Sequence, residues 1–342
     1  NLNLKNKYKI SFLILTLLFF IVLVLNLSFG SVDIPLKDLF NILFNKSTSN
    51  ESWQIKITEF RIPKAITAIL AGSALAVSGL LMQTLFRNPL ADPYILGISS
   101  GASLGIAILI LLVTIGGFSS ILLSSWSFII AAAIGAFLIM LLVVIMASNI
   151  KNTISILIIG LMFGSFASAI ISIMAYFSSA AQLQQFISWG FGNLGNHSFQ
   201  ELWIYFGFYT IGIVPLLFLI KPLNSLLLGE NYAQTIGVNI KKVRFSILVV
   251  TSLLTGLVTA FSGPIAFVGL AVPHLTKLIF NTSNHLILIP AVLLNGAILM
   301  LISDTIAQLP NSEFTLPINA ITSLFGAPIV IWLIVRKQKL NF

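Results

Sequence analysis

The longest uncharged stretch of this chain, Pro93 to Ile150, decides the environment in which it folds. A segment of that length without Asp, Glu, Lys or Arg has no polar face to turn toward water. Ile10–Phe29 and Ala65–Phe86 are uncharged as well. Continuous apolar runs of about twenty residues match the hydrocarbon thickness of a bilayer when helical. A helix also satisfies its own backbone groups where no water can reach them. Outer-membrane barrels read instead as alternating segments of about ten residues, a pattern these runs do not have. Charged residues make up 8% of the chain, against about 25% in soluble domains. The sequence therefore predicts an all-α integral membrane protein, with residues 1–342 forming one transmembrane domain.

Breaks between the runs set the expected spans. Span 1 is Ile10–Phe29, read as retained rather than as a cleaved signal peptide because it is long and has no small-residue exit. Span 2 is Ala65–Phe86, after a mixed loop from Ser31 to Lys64. The uncharged stretch is too long for one helix, and Gly116-Gly117 divides it into span 3 (95–115) and span 4 (121–146). Span 5 is 153–176. Residues 178–200 read as an interfacial loop with a short helix. Span 6 is Leu202–Ile220, span 7 is 245–262, span 8 is 264–281, span 9 is 286–306 and span 10 is 316–335. With the N-terminus cytoplasmic, the inside loops carry 13 of the 18 cations. The outside loops carry five: Lys37, Lys46, Lys56, Arg61 and Lys64. That bias orients both termini toward the cytoplasm and accounts for the net charge of +9 without nucleic acid. It leaves Arg61 and Lys64 as exceptions.

A shift of 184 residues aligns Leu70, Gly72, Ala76, Ser78, Gly79 and Pro89 with Leu254, Gly256, Ala260, Ser262, Gly263 and Pro273. Span 2 runs inward and span 7 outward, so spans 2–5 and 7–10 would form an inverted repeat, an arrangement that puts a pathway at the repeat interface. The chain has no G-x-x-x-x-G-K-[ST] loop for ATP and no H-E-x-x-H. Cysteine is absent, and His197, His274 and His285 fall in separate segments, which argues against a metal centre. None of the nine acids sits at the centre of a span, against the usual design of ion-coupled carriers. Span 5 presents Gly160, Gly164, Ser165, Ser168 and Ser172 at helical spacing, a pattern open to two readings: close helix packing or the lining of a translocation pathway.

The segment Lys221–Arg244 is the most polar internal stretch. Pro222 is expected to stop span 6, Asn224 to cap a short helix over Ser225–Leu228, and Gly229 to end it. A second short helix, Asn231–Ile236, would end at Gly237. Two short helices with Leu and Tyr side chains read as a docking surface.

These segments resemble the permease subunits of type II ABC importers for iron–siderophores, haem and cobalamin, the FecCD-like family. The resemblance rests on Arg61-Ile-Pro-Lys64, on Phe86-Arg-Asn-Pro-Leu-Ala-Asp-Pro93 with Leu96-Gly97 and Ser100-Gly-Ala102, and on Trp189-Gly190 with Leu194. Leu228-Gly-Glu230 with Ala233 and Ile236-Gly-Val238, Gly263-Pro-Ile-Ala-Phe-Val-Gly-Leu270 with Pro273-His274, Ser303-Asp-Thr305 and Gly326-Ala-Pro328 complete it. It implies a permease of the bacterial inner membrane that is not itself an enzyme and binds no cofactor. It implies a second permease copy, two cytoplasmic ATPase subunits that use ATP and Mg²⁺, and an extracytoplasmic binding protein. By this resemblance Ser225, Leu226, Leu228, Gly229, Glu230, Ala233, Thr235 and Gly237 would couple to the ATPase, and Arg61 and Lys64 would dock the binding protein. The family's Arg after the Asp-Thr segment is Gln308 here, and its E-L-P-x-G appears as Thr315-Leu-Pro-Ile-Asn319. An ATP-independent secondary transporter or channel is the alternative reading of the same spans.

Overall fold

The computed structural model describes residues 2–30, 32–44, 50–115, 124–150, 153–195, 197–309 and 314–339. The Gly116-Gly117 turn, Lys46, Lys151, Asn196 and Glu313 lie outside them. All of the regular structure among the described residues is helical.

Helix α1 (Leu2–Ser28) is followed by a short helix, α2 (Leu36–Leu43). Helix α3 (Glu51–Ile55) starts where the Asn50 side chain accepts from the Ser52 amide. It runs through a π-helical turn, Lys56–Arg61, directly into α4 (Ile62–Leu85). The loop expected over Ser31–Lys64 is therefore largely helical, and the second span begins well before Ala65. An apolar helix of 35 residues, Glu51–Leu85, results.

Beyond α4 the chain turns back on itself. Asp92 caps a 3-10 turn, Pro93–Leu96, through the Tyr94 amide. Gly97, at φ +77, ends that turn in the left-handed region that glycine enters without penalty. Helix α5 (Ile98–Ile115) starts there, next to α6 (Ser125–Asn149) and α7 (Thr153–Tyr176). Ser179 with Gln182 forms a capping box that starts α8 (Ala180–Gly190), the short helix expected between 178 and 200. Ser198 with Glu201 does the same for α9 (Phe199–Ile213).

Span 6 differs from expectation. α9 and α10 (Leu216–Leu227) form one apolar path bent by 40°. The bend falls at Val214-Pro215, where proline removes an amide and crowds the preceding turn. Pro222 lies inside α10 without stopping it, because the turn beyond it is held by packing: α10 lies on α4 and α14, and Leu223 and Leu226 are buried. Next come α11 (Glu230–Thr235) and α12 (Ile240–Ser262), the latter capped by Asn239. A short unwound segment, Gly263–Phe267, leads into α13 (Val268–Phe280). Its amides are met by side chains from elsewhere: Ile265 N–H donates to the Tyr94 hydroxyl and Ala266 N–H to Asn319 Oδ1. Helices α14 (His285–Ala307) and α15 (Ile318–Lys339) complete the chain.

About ten transmembrane helices were expected. Among the described residues six helices are long and apolar enough to span a bilayer, and the bent α9–α10 pair makes a seventh. The apolar stretches in α5, α13 and α15, described as Ile98–Leu111, Val268–Phe280 and Ile318–Trp332, are shorter. The inverted repeat is visible in how the halves exchange helices. α4 packs on α14 and α12 packs on α6, while α4 and α12 lie against each other. In each half the second helix, α5 or α13, is short and follows a break.

Candidate functional site

One end of the molecule gathers the segment between α10 and α11. Gly229 joins the two helices at φ +124, a conformation that only glycine adopts readily. With no atom nearer than Arg87 Nη2 at 3.8 Å from a Cβ built there, the glycine is needed for backbone freedom rather than space. The sequence-expected residues divide into two groups. Leu226 and Ala233 are buried and hold the segment to the body. Leu228 is 68% exposed and adjoins Leu227, Tyr232 and Ile236, which are exposed as well. Leu227, Leu228, Tyr232 and Ile236 form an exposed apolar patch, in which Leu227 and Tyr232 are additions to the family motif. Apolar side chains in the most polar internal segment of the chain were the available signal.

The remaining members of the set shape the patch. Ser225 Oγ donates to the Lys221 carbonyl, and Thr235 Oγ1 donates to the Tyr232 carbonyl. Gly237, at φ +87, ends α11, and Val238 N–H returns to the Ala233 carbonyl. The expected helix over Ser225–Leu228 is instead the last turn of α10, whereas the second short helix lies within a residue or so of its expected bounds. Glu230 Oε1 pairs with Arg244 Nη2 at 3.2 Å, and Arg244 Nη1 donates to the Ile150 carbonyl at 2.9 Å. Beside this pair a groove of about 830 Å³ opens between α6, α11 and α12, lined by Ala147, Gln234, Lys241 and Phe245 among others.

The opposite end carries Arg61 and Lys64, and both side chains have partners within the chain. Arg61 is 9% exposed. Its guanidinium donates to the carbonyls of Leu27 and Ser28 at 2.7 Å each, and to that of Val32. It thereby closes the unsatisfied C-terminal carbonyls of α1. Lys64 Nζ lies 3.0 Å from Asp304 Oδ1, and Asp304 is 1% exposed. Asn26 and Gln308 donate to the other Asp304 oxygen at 2.9 and 2.7 Å. Gln308, the departure from the family's arginine, thus serves Asp304 as an amide donor. Both residues lie toward one end of the molecule, and the direction of their side chains was not legible in the sequence, because their partners stand tens to hundreds of residues away.

Nearby, His197 lies buried 3.7 Å from Glu201, and burial pushes its imidazole below the usual histidine range against the pull of that carboxylate. The span 5 stripe also divides. On α7, Gly160 and Gly164 face the 3-10 turn and Gly97: a Cβ on Gly160 would meet Leu96 Cα at 2.7 Å, too close for a side chain, whereas one on Gly164 would lie in ordinary contact, 3.4 Å from Ser100 Oγ. Ser165, Ser168 and Ser172 are exposed on the neighbouring face, with Ser165 and Ser172 bonded back to their own helix. The glycines pack, and only the serines are placed to line anything outside this chain.

Comparison with known proteins matches the same extent. A model of the FecCD transport family matches residues 17–336. The chain is 35% identical over 324 residues to the hemin transport system permease protein HmuU of Yersinia pestis, covering 94% of this chain and 95% of that protein. It is 34% identical over 328 residues to the vitamin B12 import system permease protein BtuC of Klebsiella pneumoniae, covering 95% and 93%. A solved chain described as a metal-chelate type ABC transporter, in an inward-facing conformation, superposes with a TM-score of 0.83 at 29% identity, covering 96% of this chain and 99% of that one.

Proposed function

Because this chain belongs to the FecCD transport family, we propose that it is the membrane-spanning permease of an ATP-driven importer for a metal chelate: an iron–siderophore, haem or cobalamin. The observation that carries this reading is the end-to-end match with permeases named for hemin and vitamin B12. Two ATPase subunits supply ATP and Mg²⁺ chemistry on the cytoplasmic side. An extracytoplasmic binding protein delivers the cargo, and a second permease copy closes the pathway. The exposed patch of Leu227, Leu228, Tyr232 and Ile236 supports ATPase docking: it is apolar, built on two short helices, and ringed by Lys221, Lys241 and Lys242, which the charge bias places inside. The exposed serine face of α7 supports a pathway shared with the second copy.

The permease works by exchanging outward- and inward-facing states. ATP shifts that exchange only if the ATPase pair binds the α10–α11 patch differently in the two states. The test is reconstitution of the chain with its ATPase and binding protein in proteoliposomes, offered haemin, a ferric siderophore and cobalamin in turn. Uptake of one of them that requires ATP is the expected result. Uptake that proceeds without ATP would replace this reading with that of a secondary transporter or channel.

A further inference from the structure

Resting on the reading just given, we propose that the chain Asn224–His285–Thr84, half-buried at Asn224 and buried at His285 and Thr84, is a positioning element that transmits movement of the docking patch to α4 and α14. Each link is close. Asn224 Oδ1 accepts from the His285 amide at 2.9 Å and lies 2.9 Å from His285 Nδ1. His285 Nε2 lies 2.9 Å from Thr84 Oγ1, which is also 2.8 Å from the Leu80 carbonyl. His285 is 1% exposed and Thr84 is 4% exposed. The amide oxygen of Asn224 only accepts, so Nδ1 carries the proton, and Nε2 of the neutral ring shares the single Thr84 hydroxyl proton with the Leu80 carbonyl. One imidazole therefore bridges three helices: α10 through Asn224, α14 through its own backbone, and α4 through Thr84. Asn224 Nδ2 adds a bond to Asn284 Oδ1 at 3.0 Å, at the cap of α14.

The placement argues for transmission and not only for packing. Asn224 lies four residues before Leu228, on the helix that ends at the patch. Arg87 Nη2 donates to the Leu226 carbonyl at 2.8 Å and fixes the end of α10 to the foot of α4 a second time. Past Gly229 the attachment changes, since Glu230 of α11 is tied to Arg244 of α12. The two helices of the docking segment are thus anchored to different helices, α10 to α4 and α14, and α11 to α12, with a glycine at φ +124 between them. A rotation imposed on the patch pulls on α4 and α14 through α10. Removing the polar chain leaves α10 in place but lets it slip.

The test uses the full complex with its ATPase and binding protein, and haemin, the ferric siderophore or cobalamin as cargo, whichever the wild-type complex imports. If the wild-type complex imports none with ATP, the functional reading fails and not this inference. Thr84→Val and Asn224→Leu should retain ATPase subunits at wild-type stoichiometry while cargo moved per ATP hydrolysed falls at least fivefold. Thr84→Ser, which keeps the hydroxyl, should return that ratio to within twofold of wild type. An unchanged ratio in Thr84→Val and Asn224→Leu overturns the inference. So does a Thr84→Ser variant as impaired as Thr84→Val. Loss of bound ATPase in both apolar variants overturns it too, because the chain would then serve assembly and not transmission.

Discussion

Arg61 shows how a single side chain reads differently in sequence and in space. Its place outside the charge bias was legible, since the count of cations on each side of the expected spans marks it as an exception. Its direction was not, because the carbonyls it meets are on α1, about thirty residues earlier. Hydrogen bonds to a charged group contribute about 1.5–3 kcal/mol each, and leaving the two helix-end carbonyls and that of Val32 unpaired adds desolvation costs. Arg61→Met is therefore expected to lower stability by about 3 kcal/mol or more, seen as a lower melting temperature in detergent. A melting temperature equal to wild type would mean that the guanidinium is dispensable to the fold. Asp304 makes a graded comparison. Lys64→Met leaves the Asp304 carboxylate, 1% exposed, without its cation and should cost about 3 kcal/mol. Asp304→Ala removes that buried charge: the Lys64 ammonium, on a side chain 22% exposed, turns to water, Asn26 keeps the Leu301 carbonyl and the Thr305 hydroxyl, and Gln308 loses one acceptor, at a cost of about 1 kcal/mol. The order Lys64→Met worse than Asp304→Ala is the outcome to check, and equal losses would mean that the Asn26 and Gln308 amides hold the carboxylate without the cation.

Element by element, helix existence was legible and helix ends were not. The apolar runs located the helices, whereas the long extension of α4 toward Glu51 carries Lys56, Glu59 and Arg61 and so reads as loop. Short-range punctuation was readable where its chemistry is local, as at Gly229 and Gly237. It failed at Pro222, where packing on α4 and α14 outweighs the lost backbone bond. Close packing of small residues distinguishes the elements that cannot move apart. A Cβ on Gly72 would lie 2.2 Å from the Gly296 carbonyl oxygen, and one on Gly296 would lie 2.3 Å from that of Gly72. The backbones of α4 and α14 are in direct contact there, as in other small-residue membrane interfaces. Gly207, on the exposed side of α9, has nothing within 4 Å of such a Cβ. Gly72→Ala should therefore destabilise by about 1–3 kcal/mol through overpacking. Gly207→Ala should be neutral or stabilising by up to about 1 kcal/mol, through helix propensity. Thermal unfolding of the two variants in one detergent separates them. Equal shifts would deny the α4–α14 contact its role.

For the whole molecule, the reciprocal packing of α4 on α14 and α12 on α6 makes the two halves interdependent. Neither half buries its own first helix alone, so the fold closes only when both are present. That exchange was foreshadowed by the opposite directions expected of spans 2 and 7 and by the small residues both carry. The two ends differ in kind. One presents an apolar patch among lysines. The other ties Arg61 to backbone carbonyls and Lys64 to Asp304. An importer needs those ends on opposite sides of the bilayer, with the patch facing the cytoplasm. The chain has no cysteine of its own, so single cysteines report on this directly. Thr235→Cys lies at the exposed end of α11, and Glu59→Cys lies at an exposed position on the turn leading into α4. In intact spheroplasts a membrane-impermeant maleimide should label Glu59→Cys at once and Thr235→Cys only after the membrane is permeabilised. Labelling of both before permeabilisation would place the two ends on one side. The reverse order would invert the molecule in the membrane, remove the patch from any cytoplasmic ATPase, and leave ATP-driven import without a point of contact.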